Sequence, residues 1–402
     1  MTVATKKLSE LANIFYGASP AAIRVENSDI PIFGTSGFVG YASKPLFETE
    51  AIVVGRKGTL GNPIFTPNKF WAIDTTFAVV AKEKIDTKWL YYALLFHDLT
   101  KLNEATGVPS INRDRLYNID ITYFGYPEQR AIADILSTLD EAIAQSESLV
   151  QKYQSIKQGL MSDLLTRGVD ENGELRPSYE ESSELYRETS LGWLPKEWEV
   201  VELRTFANVE RGKFTPRPRN NPKYYNGKYP FIQTGEVAAA DGKRISSYTQ
   251  TLNELGTKVS REFPKETIVV TIAANIGETA ILDIPMYVPD SLVGIVVQPP
   301  NNVRFIEMFV RSKREYFNAV APQSAQKNIN LSDLRPMLIT KPELKEQNRI
   351  AEIYETIESA LIDEEKNLAK LQLLKQGLMQ DLLSGQVRVP PSPAFPQIEK
   401  RI

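Results

Sequence analysis

The sequence predicts an α+β protein of two tandem α+β modules separated by two long helices, which pair as a coiled coil. An internal repeat, two unbroken amphipathic stretches and matching strand-like runs carry this expectation. Within the 402 residues, Lys157-Gln158-Gly159-Leu160-Met161-Ser162-Asp163-Leu164-Leu165 recurs as Lys375-Gln376-Gly377-Leu378-Met379-Gln380-Asp381-Leu382-Leu383. The same displacement takes Glu128-Gln129 to Glu346-Gln347, Ile132-Ala133 to Ile350-Ala351 and Ile111-Asn112 to Ile329-Asn330. A slightly shorter one relates Ile52-Val53-Val54, Gly61 and Asp74 to Ile268-Val269-Val270, Gly277 and Asp290. Self-similarity at a fixed period marks a tandem duplication. Here it is strong late in each unit and faint early, so one part of the unit was held constant while the other diverged.

The constant part is helical. Ile132, Ile135, Leu139, Ala142, Ser146, Leu149, Tyr153, Ile156, Leu160 and Leu164 follow one another mostly at spacings of three and four, a narrow coiled-coil seam. In the second copy Ile350, Ile353, Ile357, Ala360, Glu364, Leu368, Leu371, Leu374, Leu378 and Leu382 repeat it, with Glu364 in the place of Ser146. Pro127 and Pro342 precede the stretches, and Gly168 and Gly385 stand beyond them as stop signals. Each helix should run about 35 to 40 residues, roughly 55 Å. A solitary helix of that kind leaves its seam in water, so each is expected to pair with the other copy. The predicted interface residues are Ile135, Leu139, Leu149, Ile156 and Leu160 on the first helix, and Ile353, Ile357, Leu368, Leu371 and Leu378 on the second. The competing arrangement is two separate helical hairpins, each inside its own core.

The divergent parts read as α+β modules. Buried strands are expected at 51–54 and 77–80 and a short helix at 89–102; their counterparts are strands at 267–272 and 293–297 and a helix at 304–317. The expected boundaries are 1–126 for the first module, 127–168 for its helix, 169–191 for an acidic linker, 192–343 for the second module, 344–385 for its helix and 386–402 for a Pro-rich tail.

Composition narrows the chemistry. With no cysteine and a single histidine, disulfides, thiolate metal sites and most zinc or Ser-His-Asp chemistry are excluded. His97 lies in a predicted helix and is given no catalytic role; no catalytic and no metal residues are assigned. No apolar run suits a membrane span and no secretory signal is evident, so a cytoplasmic location is expected. The net charge of −3 hides local asymmetry. Arg204, Arg211, Lys213, Arg217, Arg219, Lys223 and Lys228 face only Glu210 in sequence, whereas 170–188 is strongly acidic.

Gly55-Arg56-Lys57-Gly58-Thr59-Leu60-Gly61 follows a strand but matches neither nucleotide-binding glycine spacing, and Pro63 blocks the helix such a site needs. It reads as a tight turn, with Arg56, Lys57 and Thr59 able to approach a phosphate backbone. Its counterpart, Ala273-Ala274-Asn275-Ile276-Gly277, keeps the turn and loses both cations. Arg211, Lys213, Arg217 and Arg219 interleave with Phe214, Tyr224 and Tyr225, a pattern of phosphate-contacting arms. Two equivalent polar segments, with Asn112, Arg113 and Arg115 in the first half and Gln323, Gln326, Lys327 and Asn328 in the second, carry amide and guanidinium groups suited to adenine and guanine edges. For every one of these the plain alternative is a solvated surface loop.

In layout the chain resembles the specificity (S) subunits of type I restriction-modification systems, over nearly its whole length. The resemblance is carried by Gly192-Trp193-Leu194-Pro195-Lys196-Glu197-Trp198-Glu199-Val200-Val201-Glu202-Leu203 as the entry to a target-recognition domain. Val54-Gly55-Arg56-Lys57-Gly58-Thr59-Leu60-Gly61 and Trp71-Ala72-Ile73-Asp74-Thr75-Thr76 resemble its middle. Glu128-Gln129-Arg130-Ala131-Ile132-Ala133 and Glu346-Gln347-Asn348-Arg349-Ile350-Ala351 resemble the openings of the spacer helices. The resemblance implies two target-recognition domains separated by an antiparallel coiled coil of the two helices with pseudo-two-fold symmetry, bound to double-stranded DNA. It also implies modification (M) subunits that supply S-adenosylmethionine and methyl transfer, and restriction (R) subunits that use ATP and Mg. The chain itself is then expected to bind no cofactor, enter no membrane and catalyse nothing. Each module would read a few base pairs and the helix pair would set an unread gap, two major-groove readers on one face of DNA lying ~10 base pairs apart. The rival expectation is a coiled-coil adaptor that scaffolds proteins without sequence-specific DNA binding.

Overall fold

A computed structural model describes residues 4–273, 275–320 and 329–390 of the chain. Its contacts divide the chain into two units, residues 1–149 with 364–402 and residues 150–363. In the first unit the chain runs through β1 (Thr5–Lys7), α1 (Leu8–Leu11), β2 (Ala12–Tyr16), β3 (Arg24–Val25), β4 (Pro31–Gly34) and β5 (Gly37–Ala42). There follow β6 (Ala51–Gly55), β7 (Ile64–Thr66), β8 (Trp71–Ala72), β9 (Thr76–Ala81), α2 (Thr87–Phe96), α3 (Arg113–Tyr117) and β10 (Asp120–Thr122). The first long helix, α4 (Tyr126–Thr166), starts in this unit.

The second unit contains β11 (Tyr186–Thr189), β12 (Gly192–Pro195), β13 (Glu199–Glu202), β14 (Ala207–Arg211), β15 (Tyr225–Phe231), α5 (Thr234–Ala240), β16 (Arg244–Ile245) and β17 (Gln250–Leu252). It continues with α6 (Glu254–Val259), β18 (Arg261–Phe263), β19 (Thr267–Thr271), β20 (Thr279–Leu282), β21 (Met286–Val288) and β22 (Leu292–Val297). It closes with α7 (Val303–Ser312), α8 (Arg314–Val320), α9 (Leu331–Leu334), β23 (Leu338–Lys341) and the start of the second long helix, α10 (Leu344–Leu383).

Each unit has a main sheet and a second one, four strands each in the first unit and five and four in the second. The orders are β2-β9-β6-β7 and β3-β5-β4-β8 in the first unit, and β14-β22-β19-β20-β16 and β17-β15-β21-β18 in the second. The central pairs share one register. Ile52 faces Val79 and Gly55 faces Thr76, while Ile268 faces Ile295 and Thr271 faces Leu292. β6 and β19 are buried along their whole length, although antiparallel strands commonly have one wet face. The pleat explains it, because alternate residues serve two cores. Ile52 and Val54 pack under Trp89, Leu90 and Ile132, whereas Ala51 and Val53 meet Phe70 and, in the second sheet, Ala72. In the second unit Ile268 and Val270 join Phe305 and Ile350, and Val269 joins Phe263 and Met286.

The two long helices run antiparallel where they meet within each unit. In the first unit Asp140 pairs with Lys375 at 2.5 Å, and further along α4 Ser146 donates to Glu364, its own counterpart 218 residues on. In the second, Lys157 pairs with Glu358 at 2.9 Å, and the amide of Val169, just past α4, donates to Glu346 at 3.0 Å. The repeated lysines thus reach an acid on the other helix in both units.

The start of each long helix is also tied to its module. Gln129 Oε1 accepts the amide of Asp86, the residue capping α2, while its Nε2 donates to Phe124 O. Gln347 does the same with Asn302, which caps α7, and Pro342 O. Glu128 takes Arg388 in two bonds of 2.6 and 2.7 Å together with the Val389 amide. Glu346 gathers Arg176, Trp198 Nε1 and the Val169 amide.

Several expectations are corrected. Ile135, Leu149 and Ile156 stand 36%, 40% and 37% exposed, less covered than the other predicted interface residues of the seam. Its centre is held by Ile132, Leu136, Ser146, Leu164, Tyr354, Glu358, Leu361 and Leu382. At Ile135 the physical reason is that the start of α4 packs on its module as well as on its partner helix, which turns the buried face toward Ile132 and Leu136. Leu139, Leu160, Ile353, Ile357, Leu368, Leu371 and Leu378 are half-buried. The helix expected over 89–102 breaks after Phe96, where Asp98 caps a separate 3₁₀ turn, and the one over 304–317 is divided between α7 and α8. Pro127 lies inside the first turn of α4, where its missing N–H costs no helical bond. Gly168 and Gly385 have φ of +65° and +76°, the left-handed stops anticipated. The acidic linker is ordered, since β11 pairs with β12 across the boundary expected at 191 and Tyr179 stacks on Trp193 at 4.2 Å.

Replacing Glu346 by Gln should strand Arg176, whose side chain is 16% exposed, and lower stability by on the order of 2–3 kcal/mol. Glu128→Gln should lower it by about 1 kcal/mol or less, because Arg388 is 52% exposed. Urea unfolding followed by circular dichroism measures both, and equal effects would refute the ranking.

Candidate nucleic-acid interface

The rim of interest begins where the chain leaves the main sheet for the second one. β2 ends at Tyr16 opposite Phe77, and β14 ends at Arg211 opposite Val293, so Tyr16 and Arg211 occupy equivalent strand ends. Each is followed by a glycine with no room for a side chain. A Cβ on Gly17 would sit 2.0 Å from Ile73 O, and one on Gly212 2.2 Å from Pro289 O. The next amide, of Ala18 or Lys213, donates to Ala72 O or Val288 O, each at 2.9 Å. This crossing fixes the first residue of the rim in both units.

In the first unit the structure brings two separately predicted segments together. Gly58 N donates to Pro109 O at 2.8 Å and Ile111 N to Arg56 O at 2.9 Å, which lays the glycine turn along the Asn112 segment. Asn112 caps α3 by accepting the Asp114 amide, and Tyr117 at the helix end accepts Ile14 N, locking α3 to β2. Arg56 and Arg113 both lie over the ring of Tyr16, their Cζ atoms 5.3 and 5.0 Å from its centroid. Lys57 and Thr59 are exposed beside them. Arg115, by contrast, is paired with Glu104.

In the second unit the same backbone bond recurs, Ile329 N to Ile272 O at 3.1 Å, but the charges are arranged differently. Arg217 and Arg219 pair with the two oxygens of Asp290 at 2.9 and 2.8 Å, and Arg211 Nε donates to Asp290 O at 2.6 Å. Lys213 is exposed. The aromatic residues interleaved with these cations face inward: Phe214 is buried with Phe231 and Leu252, and Tyr224 and Tyr225 pack on them. Gln323, Gln326, Lys327 and Asn328, like Ala274, lie outside the described residues.

Two features of the rim escaped sequence reasoning. The sequence signal of Tyr16 is only an aromatic before a glycine, and the matching position is Arg211. Gly17 and Gly212 were legible only as isolated glycines at a strand end, which often mark a close backbone approach.

Comparison with known proteins gives one family for both halves. The family model described as "Type I restriction modification DNA specificity domain" matches residues 2–158 and 195–373. The MjaVIII specificity subunit of a type I restriction enzyme from Methanocaldococcus jannaschii is 25% identical over 371 residues, covering 88% of this chain and 83% of that protein. The EcoDI specificity subunit from Escherichia coli is 22% identical over 405 residues, covering 95% and 88%. Among solved structures, the S subunit of a type I restriction-modification system from M. genitalium superposes with a TM-score of 0.65 at 16% identity, over 95% of this chain and 96% of that one, a likeness of fold.

Asp290→Asn should free Arg217 and Arg219 from their carboxylate. The salt dependence of binding to any duplex DNA should then steepen by about one to two phosphate contacts. Fluorescence anisotropy across a potassium chloride series reads the slope, and a slope equal to that of the unaltered protein would show that the pairing does not restrain these arginines.

Proposed function

Because this chain belongs to the type I restriction-modification DNA specificity family, we propose that it selects a bipartite DNA site, each module reading one half-site on either side of an unread gap. The observation that carries the reading is the uneven repeat. The two modules keep one strand register, while the rim changes from Tyr16, Arg56 and Arg113 to Arg211, Arg217 and Arg219. A shared frame whose rims differ in charge and pairing suits two modules that each engage their own stretch of DNA, with backbone contacts positioning each module and base contacts specifying the sequence. A scaffolding adaptor has no need of rims that differ in this way.

In this reading the chain is a non-catalytic subunit working in the cytoplasm. Modification subunits dock on it and carry S-adenosylmethionine, and a restriction subunit supplies ATP- and Mg-dependent translocation and cleavage. Arg56, Lys57, Thr59, Asn112 and Arg113 serve the first half-site. Arg211, Lys213, Arg217 and Arg219, with the segment of Gln323, Gln326, Lys327 and Asn328, serve the second. No helix among the described residues is long and apolar enough to cross a membrane.

Exchanging residues 1–126 for the corresponding module of a related subunit retains Glu128 and Gln129 at the head of α4. Methylome sequencing of cells carrying this chimera with its modification subunit should show one new half-site beside one old one. Change in both halves, or in neither while methylation persists, would sink the independent-reader model. The purified chain alone should transfer no methyl group to DNA; transfer by preparations free of modification subunit would overturn the non-catalytic assignment.

A further inference from the structure

We propose that Tyr16, Arg56 and Arg113 form a phosphodiester clamp on the first module, in which both guanidiniums take phosphate oxygens of the DNA backbone and the phenol ring holds them in place. The proposal rests on the DNA-selecting function above and assigns a distinct task within it. Tyr16 is 49% exposed and its ring leans on Phe77 at 5.2 Å, so the residue is anchored on one side and open to solvent on another. Two guanidiniums attracted to a single ring repel each other, and cation–π attraction at an exposed site supplies only about 0.5–1 kcal/mol each.

Proteins commonly relieve such crowding with a carboxylate, as Glu104 does for Arg115 and Asp290 for Arg217 and Arg219. Neither Arg56 nor Arg113 forms an ion pair among the described residues, and Arg113 Nε is buried without a hydrogen-bond partner. The backbones are nonetheless rigidly placed: Arg56 N donates to Thr75 O at 2.9 Å, Arg56 O accepts from Ile111 N, and α3 is capped and locked to β2. Fixed, unneutralised guanidiniums match an external anion. A phosphodiester fits them best, since guanidinium and phosphate pair through two parallel charge-assisted bonds. Lys57, exposed on the same turn, adds to the local field. The clamp is a backbone contact and therefore indifferent to sequence, which leaves base reading to other parts of the module.

The test uses the full chain assembled with its modification subunits. Two duplexes of equal length are compared, one carrying the methylated site mapped in cells and one with both half-sites scrambled, across a potassium chloride series. Arg56→Gln and Arg113→Gln should each weaken binding to both duplexes in the same proportion, about five- to tenfold, and each should lower the salt slope by about one. Arg56→Lys should keep the slope, and Tyr16→Phe should bind as the unaltered protein does, whereas Tyr16→Ala should lose affinity for both duplexes. Glutamine variants that retain the full salt slope, or that change the methylated sequence while binding scrambled DNA normally, would overturn the clamp; the second result would make these arginines base readers. If the unaltered complex fails to prefer its own site over the scrambled duplex, the DNA-selecting function fails instead.

Discussion

A carboxylate in the first turn of each long helix is the constraint on which the frame depends. Glu128 and Glu346 stand at helix N-termini, where the helix dipole favours negative charge. Each spends that charge on the chain that leaves the other long helix, through Arg388 and the Val389 amide in one unit and through Arg176 and the Val169 amide in the other. The adjacent glutamine uses both ends of its amide, one on the cap of the module helix and one on the backbone just before the long helix. Three segments distant in sequence are thereby fixed at one point in each unit. Buried polar groups satisfied this completely specify a geometry that an apolar contact would leave free to slide.

From that point outward the tolerance for change increases. β6 and β19 feed two cores through alternate residues, so any substitution disturbs a close-packed environment on one side or the other. The crossing glycines admit no side chain at all. Beyond them lie turns whose backbone bonds recur, Ile111 to Arg56 and Ile329 to Ile272, while their side chains do not. A frame of this kind holds the position of a rim residue constant and leaves its chemistry open, which is the property a family of sequence readers requires.

The frame was the legible part of the sequence. Repetition exposed the Glu-Gln pairs, the lysines at 157 and 375 and the central strands, because these positions are under the same constraint twice. The helix seam was read less evenly: Ile135, Leu149 and Ile156 look like core by spacing yet are partly exposed, and at Ile135 spacing carries no information about the module that also claims the helix face. Ser146 and Glu364 are legible as equivalent polar positions in an apolar stripe, but their bond to each other is not. Nothing in the linker's acidity announced the β11–β12 hairpin or the stacking of Tyr179 on Trp193. The rim was legible as composition and illegible as pairing, since contacts such as Arg219 to Asp290 span many residues.

That last gap changes where the free positive charge lies. Counted along the chain, the stretch from Arg204 to Lys228 is the most basic in the protein, and the second module looks like the stronger electrostatic partner for DNA. Counted in space, Arg204 is matched by Glu202, and Arg217 and Arg219 by Asp290, while Glu210 is taken by Arg261. The first module has fewer cations on its rim, yet Arg56 and Arg113 make no ion pair among the described residues. A charge already paired inside the protein must give up its partner before it can serve a phosphate, so its contribution to binding is the difference between two contacts and not the whole of one. Arg56 and Arg113 are therefore ready to hold a DNA backbone as they stand, whereas Arg217 and Arg219 must exchange an internal carboxylate for an external partner.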